Sequence, residues 1–349
     1  MDNVRVGLIG YGFSASTFHA PLLAAINGFR ISAVASSKPE LVKKDLPEAV
    51  VESDHTALIK RKDVDLLIIT APNEAHFPIA IEALEAGKHV IVEKPFVLTY
   101  DQGKQLIDLA YSKGVLLSVY HNRRWDNDFL TLQEIINSGK LGRVFTYEAH
   151  YDRYRREVRD RWRERGIPGA GLLYDLGAHL IDQALVLFGT PHVVTADILS
   201  QRDGAQADDY FHITLKYDRL RIILHSSMLV KEPGPHFLVH GDKGSFSKYG
   251  LDSQEETLKG GGRPGSPFYG EDQEQNYGTL VWENKSGLTV REKVPTVPGR
   301  YQDYYQGIYD SIVTGAPSPV SAEDALNVIA VIECALLSSS EQRSIPFPL

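Results

Sequence analysis

Short, continuous apolar runs alternate with helical patterns over the first third of the chain. The runs lie at 4–9, 29–35, 64–69, 89–92 and 115–120. Strands that are buried on both faces are near-continuously apolar, whereas strands with one solvated face alternate between apolar and polar residues. The pattern therefore predicts βαβ units and a parallel sheet that is covered by helices on both sides.

The pattern changes after about residue 123. Four strand patterns lie at 144–154, 192–199, 209–217 and 219–227. Strands that follow one another without helices between them are typical of an antiparallel sheet. The segment 252–278 is rich in glycine, proline and glutamate and is predicted to be a surface loop. We expect two domains, a nucleotide-binding domain over 1–123 and a substrate-binding and oligomerisation domain over 124–349.

A glycine-rich turn joins the first apolar run to the first helical stretch. Residues 10–15 read G-Y-G-F-S-A, which matches the G-x-G-x-x-G/A pattern of dinucleotide-binding turns. Gly10 permits the tight turn, Gly12 lets the backbone approach a pyrophosphate, and Ala15 allows close packing of helix on strand. The free N–H groups of the helix that follows favour phosphate binding. Predicted cofactor contacts in this turn are Gly10, Tyr11, Gly12 and Phe13.

The end of the second strand indicates which dinucleotide binds. NAD-binding proteins usually carry Asp or Glu there, where it holds the ribose 2′-hydroxyl. This chain has Ser36, Ser37 and Lys38, and its first carboxylate is Glu40. Hydroxyl groups and a cation suit a 2′-phosphate, and the missing carboxylate removes the repulsion that would reject that phosphate. The sequence favours NADP over NAD, with a solvated Lys38 as the alternative.

Further polar residues follow the parallel strands, at the edge where open α/β sheets bind ligands. Predicted cofactor contacts at this edge are Thr70, Pro72, Asn73, His76, Glu93, Lys94 and Asn122. Helix capping is the alternative role of Asn73. A lysine that has lost part of its hydration is suited to proton transfer, although a lysine such as Lys94, taken alone, is more often a solvated loop residue.

A second glycine-rich segment, 169–179, leads into a predicted helix that ends at Gly189. Asp175 and His179 are four positions apart, so both project from one face of an α-helix. A carboxylate beside an imidazole raises the basicity of the ring, which suits acid–base chemistry near neutral pH. Taken by itself, such a pair is usually a feature of a solvated helix surface without a function.

Three motifs together resemble the Gfo/Idh/MocA family of oxidoreductases over essentially the whole chain. They are Gly10-x-Gly12, Glu93-Lys94-Pro95 and Gly171 followed by Asp175-x3-His179. The resemblance implies an α/β protein with an N-terminal Rossmann domain. It also implies a C-terminal α/β domain whose open, mostly antiparallel sheet forms the interface of a homodimer or homotetramer. Segments 18–21, 121–126 and 152–163 resemble the NADP-dependent scyllo-inositol dehydrogenases of that family, which implies a cyclitol or sugar as substrate.

The same resemblance assigns Lys94, Asp175 and His179 as the catalytic residues. His179 is expected to take the proton of a secondary alcohol, and Lys94 to stabilise the developing oxyanion, although these two roles could be exchanged. Asp175 would bond the substrate or orient the imidazole. The arginine-rich segment 151–165 also contains acidic residues and is predicted to be a loop at the active site. Predicted substrate contacts are Lys94, Tyr154, Trp162, Arg163, Asp175 and His179. For Tyr154, Trp162 and Arg163, contact with the cofactor or a solvated loop with one buried tryptophan is the alternative.

Composition and residue spacing indicate which kinds of partner the protein does not bind. The 349 residues contain 37 Lys and Arg against 45 Asp and Glu, and the formal charge of −8 argues against nucleic-acid binding. Cys334 is the single cysteine, and the twelve histidines lack H-E-x2-H spacing, so no metal site is predicted. The apolar run after Arg5 is too short for a signal peptide or a membrane span. We expect a cytoplasmic protein with a small-molecule substrate and no membrane partner.

Two other functions fit the same residues. The chain could reduce a different carbonyl compound, or act as a cofactor-dependent glycosidase that recycles its hydride. It could also be an NADP-binding redox sensor without turnover. The presence of Lys94, Asp175 and His179 together argues against a sensor, because a sensor needs no proton relay.

Overall fold

The computed structural model describes residues 3–348. They form two compact units. The first unit contains the chain up to Trp125 together with Gln254–Tyr269 and Arg300–Leu326. The second contains Asp126–Ser253, Gly270–Gly299 and the chain from Asn327 onward. The boundary that we predicted near residue 123 did not anticipate the two later segments that return to the first unit.

A six-stranded parallel sheet forms the centre of the first unit. Its strands are β1 (Val4–Ile9), β2 (Phe29–Ala35), β3 (Val50–Glu52), β4 (Leu66–Ile69), β5 (His89–Val92) and β6 (Leu117–Val119). The spatial order is β3-β2-β1-β4-β5-β6, and every neighbouring pair is parallel. The apolar runs therefore became the buried strands of a Rossmann sheet, which confirms the predicted fold class. The strand order places the carboxyl ends of β1, β4 and β5 side by side.

Helices connect these strands. They are α1 (Ala20–Ala24), α2 (Pro39–Asp45), α3 (His55–Ile59), α4 (Asn73–Glu85) and α5 (Tyr100–Lys113). The ends of α5 show why the helix has this length. At its start the Thr99 hydroxyl accepts the N–H of Gln102 at 3.3 Å, and at its end Gly114 adopts a left-handed conformation.

The second unit contains a nine-stranded sheet. Its strands are β7 (Val144–His150), β8 (Val193–Leu199), β9 (Tyr210–Lys216), β10 (Arg221–Ser227), β11 (Phe237–Gly241), β12 (Gly244–Lys248), β13 (Gly278–Glu283), β14 (Thr289–Val294) and β15 (Ile345–Pro346). The order is β14-β13-β12-β11-β7-β10-β9-β8-β15. Neighbours are antiparallel except for the parallel pair β7 and β10, so the sheet is mixed but mostly antiparallel, as predicted. Buried and half-exposed residues alternate along β9 and β10.

The later helices are α6 (Asn127–Asn137), α7 (Ala178–Phe188), α8 (Gln254–Lys259), α9 (Gln302–Thr314) and α10 (Ala322–Glu341). Among the helices of residues 3–348, none combines the length and the apolar character that crossing a membrane requires.

The segment 252–278 differs from the surface loop that we predicted. It contains α8 and a 3₁₀ turn at Glu274–Asn276. Gln254 at the start of α8 is buried, and its side-chain amide donates to the Trp125 carbonyl at 3.0 Å while its oxygen accepts the N–H of Tyr301 at 2.8 Å. A single polar side chain therefore satisfies two backbone groups, which sequence periodicity does not reveal.

Candidate functional site

A cleft of about 300 Å³ lies at the carboxyl ends of β1 and β2 in the first unit. Six of the predicted cofactor contacts line it, namely Gly10, Tyr11, Gly12, Ser36, Ser37 and Lys38. Ser53, Asp54 and His55 also line the cleft. Sequence reasoning missed these three because β3 is only three residues long and has no strong apolar run. The Asp54 carboxylate caps α3, where it accepts the N–H of Ala57 at 2.8 Å.

Gly10 and Gly12 have different structural surroundings. Gly10 has a φ of +93°, and a Cβ placed on it would lie 2.8 Å from the Thr70 hydroxyl oxygen. Thr70 in turn donates to the carbonyls of Ile9 and Gly10, each at 3.1 Å. At Gly12, by contrast, a Cβ would meet no atom of residues 3–348 within 4 Å. The fold thus requires glycine at position 10, whereas position 12 faces open space.

Other predicted contacts lie in and around the start of α4. Pro72 precedes the helix, and Asn73, which is buried, is its first residue. The ring nitrogens of His76 lie 2.9 Å from the Pro95 carbonyl and 3.0 Å from the Ala71 carbonyl. Burial lowers the pKa of His76, although both carbonyls act in the opposite direction. The His76 ring therefore contacts both the loop after β4 and the turn after β5.

Glu93 at the end of β5 is the centre of a buried polar network. Its carboxylate accepts hydrogen bonds from the Ser14 hydroxyl and from His19 Nε2, the latter at 3.0 Å. The other ring nitrogen of His19 contacts the Tyr305 hydroxyl. Burial acts to raise the pKa of Glu93, but the hydrogen bond and charge of His19, the Ser14 hydroxyl and the charge of Lys94 outweigh it and lower the pKa to about 2. Glu93 is therefore ionised at neutral pH.

This network includes the backbone N–H of the predicted catalytic residue Lys94. The second oxygen of Glu93 accepts the N–H of Lys94 at 2.9 Å, and the Lys94 side chain is partly exposed. The other predicted contacts of this unit differ in burial. Asn122 is buried and begins a 3₁₀ turn, while Phe13 is 57% exposed. The Phe13 ring packs edge-on against Phe18, and the Lys259 ammonium lies 5.7 Å from its centre.

In the second unit, the glycine-rich segment wraps around Asp208. Gly171 has a φ of +94°, and a Cβ placed there would lie 1.8 Å from an oxygen of Asp208. The Asp208 carboxylate accepts the N–H of Leu173 at 2.7 Å, and its backbone carbonyl accepts the N–H of Leu172 at 2.9 Å. Burial raises the pKa of Asp208 to about 6, against these backbone donors. Asp208 thus anchors the start of the helix that carries Asp175, and no motif in the sequence indicates this role.

The local helix differs from the continuous α-helix that we predicted. Leu173–Gly177 is a π-helical turn, and α7 begins only at Ala178. Asp175 lies in the π-helical turn, and His179 lies buried in α7. A π-helical turn, Ala15–His19, also follows the glycine turn of the first unit. Such turns are rare and occur often at functional sites.

Some predicted substrate contacts of the second unit lie together. Arg163 Nε is 3.5 Å from an oxygen of Asp175, and its guanidinium lies 4.6 Å above the ring of Trp162. Tyr154 is 47% exposed, with Lys231 5.8 Å from the centre of its ring. Arg163 thus contacts both Asp175 and Trp162, and the ring of Tyr154 has a basic neighbour in Lys231.

The charged segment 151–165 is held by a buried arginine that sequence reasoning missed. Arg202 contacts Glu164 at 3.0 Å and Asp209 at 2.8 Å, and its side chain is only 3% exposed. It also donates to the carbonyls of Arg155 and Glu157 at 3.3 and 3.0 Å. A buried arginine with all these partners fixes the backbone that leads to Trp162 and Arg163.

Comparison with protein families gives matches to both parts of the chain. Residues 4–121 match the GFO_IDH_MocA model, described as an oxidoreductase family with an NAD-binding Rossmann fold. Residues 133–347 match the GFO_IDH_MocA_C model, described as the C-terminal alpha/beta domain of the oxidoreductase family.

Relatives match along the full length. The chain is 46% identical over 344 residues to the uncharacterized oxidoreductase YdgJ of Escherichia coli, covering 99% of each protein. It is 45% identical over 345 residues to the scyllo-inositol 2-dehydrogenase (NADP(+)) IolW of Bacillus subtilis, covering 99% of this chain and 96% of that protein. The solved structure of the yvaA protein of Bacillus subtilis superposes with a TM-score of 0.95 at 44% identity, covering 99% of this chain and 100% of that one.

Proposed function

The chain belongs to the Gfo/Idh/MocA oxidoreductases, and from this we propose that it is an NADP-dependent dehydrogenase of a cyclitol or sugar. It would transfer a hydride between the nicotinamide and a secondary alcohol or its ketone. The observation that carries the cofactor assignment is the cleft of the first unit, which Ser36, Ser37 and Lys38 line together with Gly12, where a Cβ would meet open space. A relative with 45% identity is an NADP(+)-dependent scyllo-inositol dehydrogenase, which supports the substrate class.

The residues of the cleft fit a dinucleotide. The bound nucleotide would supply the hydride acceptor, while the protein supplies position and proton handling. The open space at Gly12 admits the pyrophosphate next to the N–H groups of the following helix. Ser37 and Lys38 are exposed at the cleft, where a hydroxyl and a cation would hold a 2′-phosphate. The finer cofactor contacts assigned to Thr70, Pro72, Asn73, His76 and Asn122 stay predictions.

We assign the proton chemistry to Lys94 and His179. In the oxidative direction the alcohol loses its hydroxyl proton as the hydride leaves the same carbon, and His179 would accept that proton. The Lys94 ammonium would stabilise the negative charge that develops on the oxygen. Ionised Glu93, held by His19 and Ser14, would fix the backbone at Lys94. Asp175, which lies beside Arg163, would bind a further hydroxyl of the substrate or orient the imidazole.

Steady-state kinetics test the proposal. With scyllo-inositol and a panel of other cyclitols and aldoses, kcat/KM should be at least about tenfold higher with NADP than with NAD. Lys94→Ala and His179→Asn should each lower kcat by about 10²–10⁴-fold, the usual contribution of a positioned acid–base group. Lys104→Ala is the matched control, because this lysine lies on α5 and pairs with Asp108 at the surface.

Three outcomes would contradict parts of this assignment. A preference for NAD would refute the role of Ser37 and Lys38. Normal turnover in either the Lys94 or the His179 variant would remove that residue from the mechanism. Tight NADPH binding without turnover of any polyol, sugar or carbonyl compound would identify a redox sensor instead. Cytoplasmic location and assembly as a homodimer or homotetramer through the C-terminal sheet stay predictions beside this proposal.

A further inference from the structure

Three histidines lie in one row across the nine-stranded sheet of the second unit. His225 on β10 is in register with His150 on the parallel strand β7 and with His212 on the antiparallel strand β9. All three rings are half-exposed, while the neighbouring positions along these strands are buried. Because side chains alternate along a strand, the three rings project from the same face of the sheet.

A carboxylate just beyond the end of β7 holds two of these rings together. One oxygen of Asp152 lies 2.9 Å from His225 Nδ1, and the other lies 3.4 Å from His150 Nδ1. The Asp152 side chain is only 5% exposed, and one of its oxygens also accepts the N–H of Ser227 at 3.0 Å. The carboxylate is therefore fixed by the backbone, with the two imidazoles facing it.

This arrangement has the donor atoms and spacing of a metal site. His150, Asp152 and His225 each offer one ligand atom within 4.8 Å of the others. With metal–ligand bonds of about 2.0–2.1 Å, ligand atoms in a tetrahedral zinc site are about 3.3 Å apart. The 2.9 and 3.4 Å contacts of Asp152 are close to that separation, and they are made by its two different carboxylate oxygens. Two imidazoles and a carboxylate are the ligands that zinc and similar divalent transition metals prefer.

We propose that His150, Asp152 and His225 form a binding site for a divalent transition-metal ion such as Zn²⁺. Glu148, whose carboxylate lies 3.6 Å from His150 Nε2, supplies a nearby negative charge. None of the residues assigned above to the nucleotide, to the substrate or to proton transfer is a ligand of this site, and Asp152 lies in the segment 151–165 that we predicted to be a loop at the active site. The spacing of histidines along the chain gave no sign of it, because His150 and His225 lie on two strands that are paired only in the folded sheet.

Zinc titration of tag-free protein tests the site. After removal of metals with EDTA and dialysis, isothermal titration with Zn²⁺ should show one site per chain. His150→Asn, Asp152→Asn and His225→Asn should each weaken zinc binding by at least about tenfold. His192→Asn is the matched control, because His192 is also paired with a carboxylate, Asp218 at 3.5 Å, but is 59% exposed and has no second imidazole in that pair. Its affinity for zinc should equal that of the unchanged protein.

Cobalt provides an independent readout of the geometry. Co²⁺ in a tetrahedral site of the unchanged protein should give strong visible absorption, which Asp152→Asn should lose. A cooperative unfolding transition, measured for each variant in the presence of EDTA, first shows that the metal-free variant is folded. If the His225 variant does not fold, the variant of the half-exposed His150 is used to test the site. The proposal is overturned if the unchanged protein binds zinc no more tightly than these variants. It is equally overturned if His192→Asn reduces binding as much as they do.

Discussion

The two glycines of the nucleotide turn offer a paired test of structure and function. Gly10→Ala would force a side chain onto a backbone with a φ of +93° and place its Cβ 2.8 Å from the Thr70 hydroxyl oxygen and 3.2 Å from the Thr70 carbonyl oxygen. Gly12→Ala would place the same methyl group where no atom of the described chain lies within 4 Å. The first change therefore acts on folding, whereas the second acts on whatever occupies the cleft.

The structure gives the expected magnitudes. A non-glycine residue in this region of φ costs about 1–3 kcal/mol, and the backbone contact at Thr70 adds to that cost. We expect Gly10→Ala to lower the free energy of unfolding by about 2–4 kcal/mol. Gly12→Ala should change it by less than about 1 kcal/mol, because the new methyl group meets no neighbour. If a pyrophosphate lies over Gly12, that methyl group should weaken NADPH binding at least about tenfold, or about 1.4 kcal/mol.

Two measurements separate these effects. Urea unfolding without cofactor reports the free energy of folding, and titration of NADPH fluorescence reports the dissociation constant. Unchanged NADPH affinity in Gly12→Ala would show that no phosphate lies over this glycine, and the nucleotide assignment of the cleft would be lost. Equal losses of stability in the two variants would refute the structural distinction between Gly10 and Gly12.

Three further predictions concern buried groups around the proposed catalytic residues. Because the pKa of Glu93 is about 2 in the folded protein, its ionised form adds stability above pH 4.5 that is lost as the pH falls toward 2. The stability difference between the unchanged protein and Glu93→Gln should thus shrink by about 1 kcal/mol between pH 7 and pH 3.5 in urea unfolding, and a constant difference would contradict this. The pKa of Asp208 is raised to about 6, so its effect on stability is opposite to that of Glu93. The free energy of unfolding should fall as the pH rises from about 4 to 6, and Asp208→Asn should make that fall smaller. Gly171→Ala, whose Cβ would overlap Asp208, should destabilise the protein more than Gly189→Ala, where the Cβ position is open and φ is similarly positive; equal unfolding midpoints would refute it.

Much of the first unit follows from local sequence. The apolar runs at β1, β4 and β5 are long enough to be buried strands, and the helical stretches between them require parallel pairing. Parallel pairing alone places the ends of these strands at one edge, so the positions of Gly10, Thr70 and Lys94 along the chain suffice to assign them to a ligand-binding edge. The glycine turn could be predicted equally well, because the conformation of a tight turn depends on a few adjacent residues.

The hydrogen-bond and ion-pair partners of the polar side chains could not be predicted from the local sequence. His19 and Glu93 are 74 positions apart and meet inside a buried network, and the buried Arg202 holds a segment about 40 residues earlier in the chain. Asp152 brings two histidines together only because β7 and β10 pair in parallel with His150 opposite His225. Hydrophobic periodicity determines which face of a strand or helix is buried, and so the sequence determined the elements and the sheet edge at which we predict ligand binding. Which polar groups then face each other depends on strand order and register, and these are decided by packing over the whole molecule.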